Sequence, residues 1–126
     1  MIQEVKRVKL SDMQGRKEVK IVQVFCEDEP CLPVGPIYGL HYRILQKFLD
    51  KKSLCYSETE LLDGGQGPSR FGPKYQVTGM GKGIYCSENN ELTIYALSKS
   101  IDYGIGIDKN HVKQYQEKTG IKIKYR

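Results

Sequence analysis

The fold depends most on the stretch Asp63–Ser87, which reads DGGQGPSRFGPKYQVTGMGKGIYCS. Residues 63–83 hold seven of the thirteen glycines. Three basic side chains lie among them: Arg70, Lys74 and Lys82. A loop of this length in a small domain is typically either functional or disordered. The apolar residues Phe71, Tyr75 and Met80 argue against disorder, so the composition predicts a glycine-rich functional loop over about 57–82.

On the N-terminal side of this loop, the pattern predicts a hairpin and then a helix. Glu4–Leu10 and Lys17–Phe25 are rich in valine and isoleucine, and the polar segment Ser11–Arg16 supplies a turn between them. Apolar residues then repeat at helical spacing from Ile37 to about Lys51. The prolines just before this repeat suit a helix start, because a missing N–H has no partner in the first turn anyway.

On the C-terminal side, the sequence predicts two strands and a helix before the last two elements. Gly83–Cys86 reads as a short buried strand, and Ser87 as the cap of a helix that continues to about Ile101. Tyr103–Ile107 alternates with two glycines and predicts a strand that another segment approaches closely.

The end of the chain predicts one helix and one strand. Asp108 is placed to cap a helix over Lys109–Thr119, and Gly120 is the left-handed residue expected at its end. The last strand, Ile121–Arg126, has three outward basic residues: Lys122, Lys124 and Arg126. Together these elements predict an α+β fold with a small mixed sheet of about five strands and two or three packed helices, in one domain of residues 1–126.

Composition limits the classes of protein that the chain can represent. A chain of 126 residues buries enough surface to fold without a metal or a disulfide. No stretch approaches 18 apolar residues and the opening residues are charged, so we expect a cytoplasmic protein without a membrane span. Its four cysteines form no C-x-x-C pair and predict no metal site. They are interpreted as reduced thiols, and the pairing of Cys26 with Cys31 stays open.

The net charge of +5 comes from the second half of the chain. Residues 1–63 carry ten basic and ten acidic side chains, whereas residues 64–126 carry ten basic and five acidic ones. A one-sided positive field attracts nucleotides, nucleic acid or an acidic protein surface. The alternative interpretation is a generic solubilising face.

Two groups of residues in the glycine-rich stretch suit a phosphate-containing ligand. Successive glycines allow backbone N–H groups to approach an anion, and Gly79, Gly81 and Gly83 flank the basic Lys82. The alternative is a flexible surface loop. Arg70, Phe71, Lys74 and Tyr75 combine rings that stack on bases with cations that follow a phosphate backbone. The alternative is a loop fixed to the core by its two aromatic residues.

His41 falls on the apolar side of the first predicted helix. Its two interpretations are a core histidine with satisfied hydrogen bonds and a residue that acts in catalysis or orients a ligand. Nothing else in the sequence decides between them.

The run Val77–Ser87, followed by Tyr95 and Ala96, resembles the central motif of ADP-ribosyltransferases of the PARP and diphtheria-toxin type. The resemblance implies NAD as the cofactor, with Tyr85 stacked on nicotinamide and Lys82 near the pyrophosphate. It also implies a ribose-binding histidine and a late catalytic glutamate, for which His41 and Glu117 are the available residues. Neither fits the family pattern fully, since Tyr42 follows His41 and Glu117 falls in a predicted helix.

Three functions are therefore expected from the sequence. The first is an ADP-ribosyltransferase-like enzyme with NAD across Gly79–Tyr85 and Ser87. The second is a non-catalytic binder of nucleotides or nucleic acid, such as a small viral, phage or mobile-element regulator. This binder would use Arg70, Lys74, Lys82 and the outward lysines of the last strand. The third is a protein–protein adaptor whose basic half is incidental.

Overall fold

The computed structural model describes residues 15–126. These residues form nine strands and two helices. The strands are β1 (Arg16–Cys26), β2 (Glu29–Cys31), β3 (Val34–Pro36), β4 (Glu58–Glu60), β5 (Gln66–Pro68), β6 (Phe71–Gly72), β7 (Tyr75–Cys86), β8 (Glu91–Ile94) and β9 (Lys122–Tyr125). The helices are α1 (His41–Lys51) and α2 (Lys109–Thr119).

Strands β1 and β7 form an antiparallel ladder at the centre of the larger sheet, with 11 and 12 residues respectively. The main strand order is β2-β1-β7-β8-β9, with β3 added to β1 and β6 added to β7. β8 and β9 pair in parallel, so the sheet is mixed. β4 and β5 form a separate two-stranded sheet. The predicted α+β class, with a small mixed sheet and two or three packed helices, is confirmed. The sheet has seven strands, where about five were predicted, because the short β3 and β6 add to its central pair.

Each helix covers one face of the central ladder. α1 packs through Ile44, Leu45, Phe48 and Leu49 on a face that carries Val22, Val24, Val77 and Met80. α2 packs through Val112 and Tyr115 on the opposite face, which carries Val19, Ile21, Tyr85, Leu92 and Ile94. Because valine and isoleucine fill both faces of β1 from Val19 to Val24, this part of the strand is buried except for the half-buried Lys20.

The glycine-rich stretch contains the central strand β7, where the sequence predicted a loop. This is the main correction to the predicted fold. Gly79, Gly81 and Gly83 project toward the face opposite Met80, and other chain segments approach them closely there. A Cβ atom on Gly83 would collide with the backbone carbonyl oxygen of Thr93. These glycines therefore permit close packing in a sheet, which the composition alone does not distinguish from loop flexibility.

The predicted helix after Ser87 is wrong, because this segment forms a turn and the strand β8. Asn90 has a φ of 48°, in the left-handed region that interrupts a helix. Beyond it, Leu92 and Ile94 are buried while Glu91 and Thr93 are half-buried, which is the alternation of a strand. Ser87 accepts a hydrogen bond from the Gly15 backbone N–H at 2.9 Å and caps no helix.

Other boundaries also differ from the predicted ones. Residues Tyr103–Ile107 form no strand and contribute only an isolated bridge between Lys99 and Gly106. α1 begins at His41 and not at Ile37, because residues up to Pro36 pair with β1. The first strand of the predicted hairpin, Glu4–Leu10, lies outside the described residues, as does most of its turn.

The last helix and strand are confirmed at nearly the predicted bounds. Asp108 caps α2 by accepting a hydrogen bond from the Asn110 N–H at 3.0 Å. Gly120 ends the helix with a φ of 77°. Both signals are local, so they are readable without knowledge of the tertiary fold.

Replacing Gly83 by alanine should lower the free energy of unfolding by about 1–3 kcal/mol, because the added methyl group forces β7 and β8 apart. Gly65→Ala is the matched control, since its Cβ would meet only Asp63 Oδ1 at 3.5 Å. Urea denaturation of both variants measures the difference. Equal stability of the two variants would contradict the packing role of Gly83.

Candidate functional site

The three glycines predicted to bind phosphate lie inside the sheet. Gly79, Gly81 and Gly83 are buried, and the adjacent backbone donors already have partners. The Met80 N–H donates to the Gly106 carbonyl at 3.0 Å, and the Lys82 N–H donates to Ser98 Oγ at 3.2 Å. These N–H groups of β7 are therefore not available to bind a phosphate.

Tyr85 is a core residue with a relative exposure of 2%. Its hydroxyl donates to Asn90 Oδ1 at 2.7 Å, and burial raises the pKa of this hydroxyl. A ring in this position has no free face on which nicotinamide could stack.

His41 lies at the start of α1 and contacts the same strand. Its relative exposure is 4%, and its Nε2 donates to the Gly81 carbonyl at 2.8 Å. Its Nδ1 faces Asp102 Oδ1 at 3.9 Å, too far for a hydrogen bond. Asp102 is also buried, and its other oxygen accepts from the Tyr42 N–H at 2.8 Å. The pair ties α1 and the loop after β8 to the centre of β7.

The carboxylates available to the enzyme hypothesis lie in other environments. Glu117 is exposed on α2. Asp108 is occupied as the α2 cap. Glu91 binds Lys124 Nζ at 3.2 Å on the face opposite Tyr85. The structure thus brings His41 to the predicted motif without placing one of these acids beside Tyr85, and the ADP-ribosyltransferase resemblance stays a prediction.

The predicted aromatic and basic group is divided by the β6–β7 hairpin. Phe71 is 57% exposed, and the Arg70 guanidinium lies 4.9 Å from its ring centroid. Tyr75 instead points into the core and donates to the Ser69 carbonyl at 2.5 Å; burial raises its pKa to about 12. Lys74 is exposed at the hairpin turn. Arg70, Phe71 and Lys74 therefore form a small accessible patch, while Tyr75 fixes the hairpin.

Cys26 and Cys31 lie on the paired strands β1 and β2, and all four cysteines are free thiols. A hydrogen bond from Cys26 lowers the pKa of Cys31 to about 7. The same hydrogen bond, together with burial, raises the pKa of Cys26. The two thiols are neighbours and form no disulfide.

A basic surface lies on the part of the sheet that α1 leaves uncovered. We call it the open sheet face. Its side chains come from β1, β7, β8, β9 and the residues that directly follow β8 and β9. They are Arg16, Glu18, Lys20, Lys82, Ile84, Cys86, Glu91, Thr93, Tyr95, Lys122, Lys124 and Arg126. Of these, Ile84 is buried beneath its longer neighbours.

Lys20 and Lys82 stand directly opposite each other in the centre of the open sheet face. Like charges in such a pair destabilise a sheet, because their Cβ atoms lie only about 5 Å apart. Among residues 15–126, neither ammonium group has a carboxylate within 4.0 Å. Folding therefore leaves a concentrated positive charge here that an external anion would stabilise.

Tyr95 provides an aromatic ring at the edge of this charge. The Lys82 ammonium lies 5.9 Å from its ring centroid, and the Arg126 guanidinium lies 5.7 Å from it. The Tyr95 hydroxyl donates to Glu18 Oε2 at 3.5 Å. Beside this group, a polar cleft of about 400 Å³ runs between Arg16 and Lys124. Cations, an aromatic ring and a groove thus meet on one face.

Comparison with known proteins assigns no family. No protein-family model matches the chain, and no curated protein is significantly similar to it. No helix among residues 15–126 is long and apolar enough to cross a membrane. The same residues contain no group of three or more metal-binding side chains.

Sequence reasoning identified part of the open sheet face and missed the rest. Lys82 and the outward residues of β9 were predicted. Lys20 was missed, although a lysine between Val19 and Ile21 signals a position that points away from the buried face. Tyr95 was missed because the segment was interpreted as a helix, and Asp102 because no local pattern marks it.

The free energy of unfolding should fall as the pH is lowered from about 7 to about 5.5. Burial lowers the pKa of His41 below its ordinary value near 6.5, although the Gly81 carbonyl and Asp102 oppose this shift. His41 therefore takes up a proton more readily in the unfolded chain than in the folded one. Each pH unit in this range lowers the free energy of unfolding by up to about 1.4 kcal/mol. Buried His111 acts in the same direction.

His41→Gln should flatten this dependence, because an amide keeps a donor for the Gly81 carbonyl and does not titrate. Thermal or urea unfolding at pH 7.5, 6.5 and 5.5 gives the comparison. A variant whose stability falls as steeply as that of the wild type would show that His41 is not the group responsible.

Proposed function

We propose that the chain binds single-stranded nucleic acid, without catalysis, on the open sheet face. The observation that carries this proposal is the Lys20–Lys82 pair, which has no carboxylate within 4.0 Å among residues 15–126. Four further cations surround the pair on the same face: Arg16, Lys122, Lys124 and Arg126. Two carboxylates oppose them, and Glu91 is already paired with Lys124.

The shape of the surface favours a polymer over a single nucleotide. The cations follow neighbouring strands across a sheet, so they match phosphates spaced along a chain. Tyr95 adds a ring on which a base can stack when Lys82 or Arg126 turns from the ring to a phosphate. Such stacking contributes about 1–3 kcal/mol per base and is open to every base. Single strands expose both their phosphates and their base faces, whereas a duplex hides the latter.

NAD binding across Gly79–Tyr85 receives less support. The glycines lie in a packed strand, and the ring of Tyr85 is 2% exposed. The open sheet face lies over the same strand but uses its outward residue Lys82. We therefore still propose a ligand that carries phosphate, but we place its binding site on the exposed side of β7.

Replacing Lys20 and Lys82 by threonine should weaken binding of an eight-residue oligothymidylate by at least about tenfold at low salt. The slope of log affinity against log salt concentration should become shallower by about 1.5, since two phosphate contacts are lost. Fluorescence anisotropy at several salt concentrations measures both quantities. Stability should not fall, because the substitution also removes a like-charge pair.

The double variant Arg70→Ala/Lys74→Ala is the matched control, because it also removes two positive charges but does so at the other end of β7. Lys74 lies roughly 25 Å along β7 from Lys82, and Arg70, beside Val77, lies roughly 17 Å from it. Binding should weaken less in this variant. Equal losses in the two variants, or an affinity that does not depend on salt, would exclude the open sheet face as the binding site. ATP alone should bind far more weakly than the oligonucleotide.

A further inference from the structure

A cavity of about 520 Å³ lies between β1, β3 and the first turns of α1. Of its lining residues only Glu18 also belongs to the open sheet face. Its walls are mainly apolar and include Val34, Ile37, Leu40 and Ile44. Small-molecule sites typically enclose about 300–1,000 Å³ with mostly apolar walls. This cavity has the size and lining of such a site, and none of the sequence patterns indicated it.

The local backbone explains why space remains here. At Gly35, α1 approaches β3 so closely that a Cβ atom would lie 2.6 Å from Ile44 Cγ1. Immediately after it, a turn closed by the Gly39 N–H and the Pro36 carbonyl, at 2.9 Å, carries the chain away from the sheet. The chain packs against the sheet again only where α1 begins. The turn therefore encloses a space next to the contact between Gly35 and Ile44.

The turn leaves apolar side chains exposed at the mouth of the cavity. Tyr38 has a relative exposure of 88% and Leu40 one of 38%. Large side chains are seldom left in water at one place without a partner, so they indicate a surface that is covered when a ligand binds.

The rim of the cavity is positively charged. Lys17, Arg43 and Lys47 line it. Among residues 15–126, Glu18 is the one acidic lining residue, and its carboxylate accepts a hydrogen bond from Tyr95 on the open sheet face. Arg43 is exposed, and its guanidinium lies 5.7 Å from the Tyr42 ring centroid. Among residues 15–126, neither Lys17 nor Arg43 has a carboxylate within 4.0 Å.

From the apolar walls, the exposed mouth and the cationic rim, we propose that this cavity binds a small apolar carboxylate. The hydrocarbon part lies against Ile37, Leu40 and Ile44, and the carboxylate lies between Arg43 and Lys17. The planar guanidinium of Arg43 suits a carboxylate, because both of its oxygens accept hydrogen bonds from one fork. A cationic or neutral ligand of the same length lacks this contact.

Isothermal titration calorimetry with sodium decanoate, kept below its micelle-forming concentration, tests this site. Decanoate should bind with a stoichiometry of one, and decyltrimethylammonium, which reverses the charge, should not bind. Arg43→Gln should weaken decanoate binding by at least about tenfold, because the charge-assisted hydrogen bonds of the guanidinium fork are lost. Arg43→Lys keeps the charge without the fork and should weaken binding less.

Lys113→Gln on α2 is the control for a general loss of positive charge, and it should change decanoate affinity less than twofold. Thermal unfolding of each variant checks that the fold is kept. The proposal is wrong if decanoate does not bind, if the ammonium compound binds as well, or if Arg43→Gln leaves the affinity unchanged. Because Arg43 lies outside the open sheet face, oligonucleotide binding by Arg43→Gln should equal that of the wild type.

Discussion

The antiparallel pairing of β1 with β7 is the interaction on which the rest of the molecule depends. The ladder includes every residue of β1 and carries both hydrophobic clusters, one on each face. Its register, interrupted once between Gln23 and Val24, brings Met80 opposite Val22 and Lys82 opposite Lys20. A shift of one residue would send the glycines of β7 to the α1 side and their large neighbours into the crowded opposite face.

The same pairing creates the functional surfaces. α1 packs on only part of its face of the ladder and does not cover the outward residues near Lys20 and Lys82. His41 lies at the boundary between the covered and uncovered parts, where it binds the Gly81 carbonyl. The cavity forms at the opposite side of β1, where β3 pairs over only three residues, Val19–Ile21 of β1, and the following turn leaves the sheet. Both candidate sites thus lie where a shorter element, α1 or β3, covers only part of the long strands β1 and β7.

The sequence predicted those features that depend on local chemistry. The cap at Asp108, the stop at Gly120 and the outward lysines of β9 all follow from signals within a few residues. The strand β7 could not be recognised, because glycine favours loops when judged alone and becomes useful in a strand only when other segments pack against it. β8 was mistaken for a helix because its buried and half-buried residues alternate over only four positions, and helix-favouring residues surround them. The cavity needs Gly35, Arg43 and Lys17 together, and these are distant in sequence.

The most direct test of the account is a titration of ¹⁵N-labelled protein with oligothymidylate, followed by two-dimensional NMR. We expect the largest chemical-shift changes at the amides of Lys20, Lys82, Thr93 and Lys124, with small changes along α2. The shifts should revert when salt is raised, since phosphate contacts release counterions. Changes centred on α2 or on the Arg70–Lys74 hairpin, with the open sheet face unaffected, would contradict the central claim.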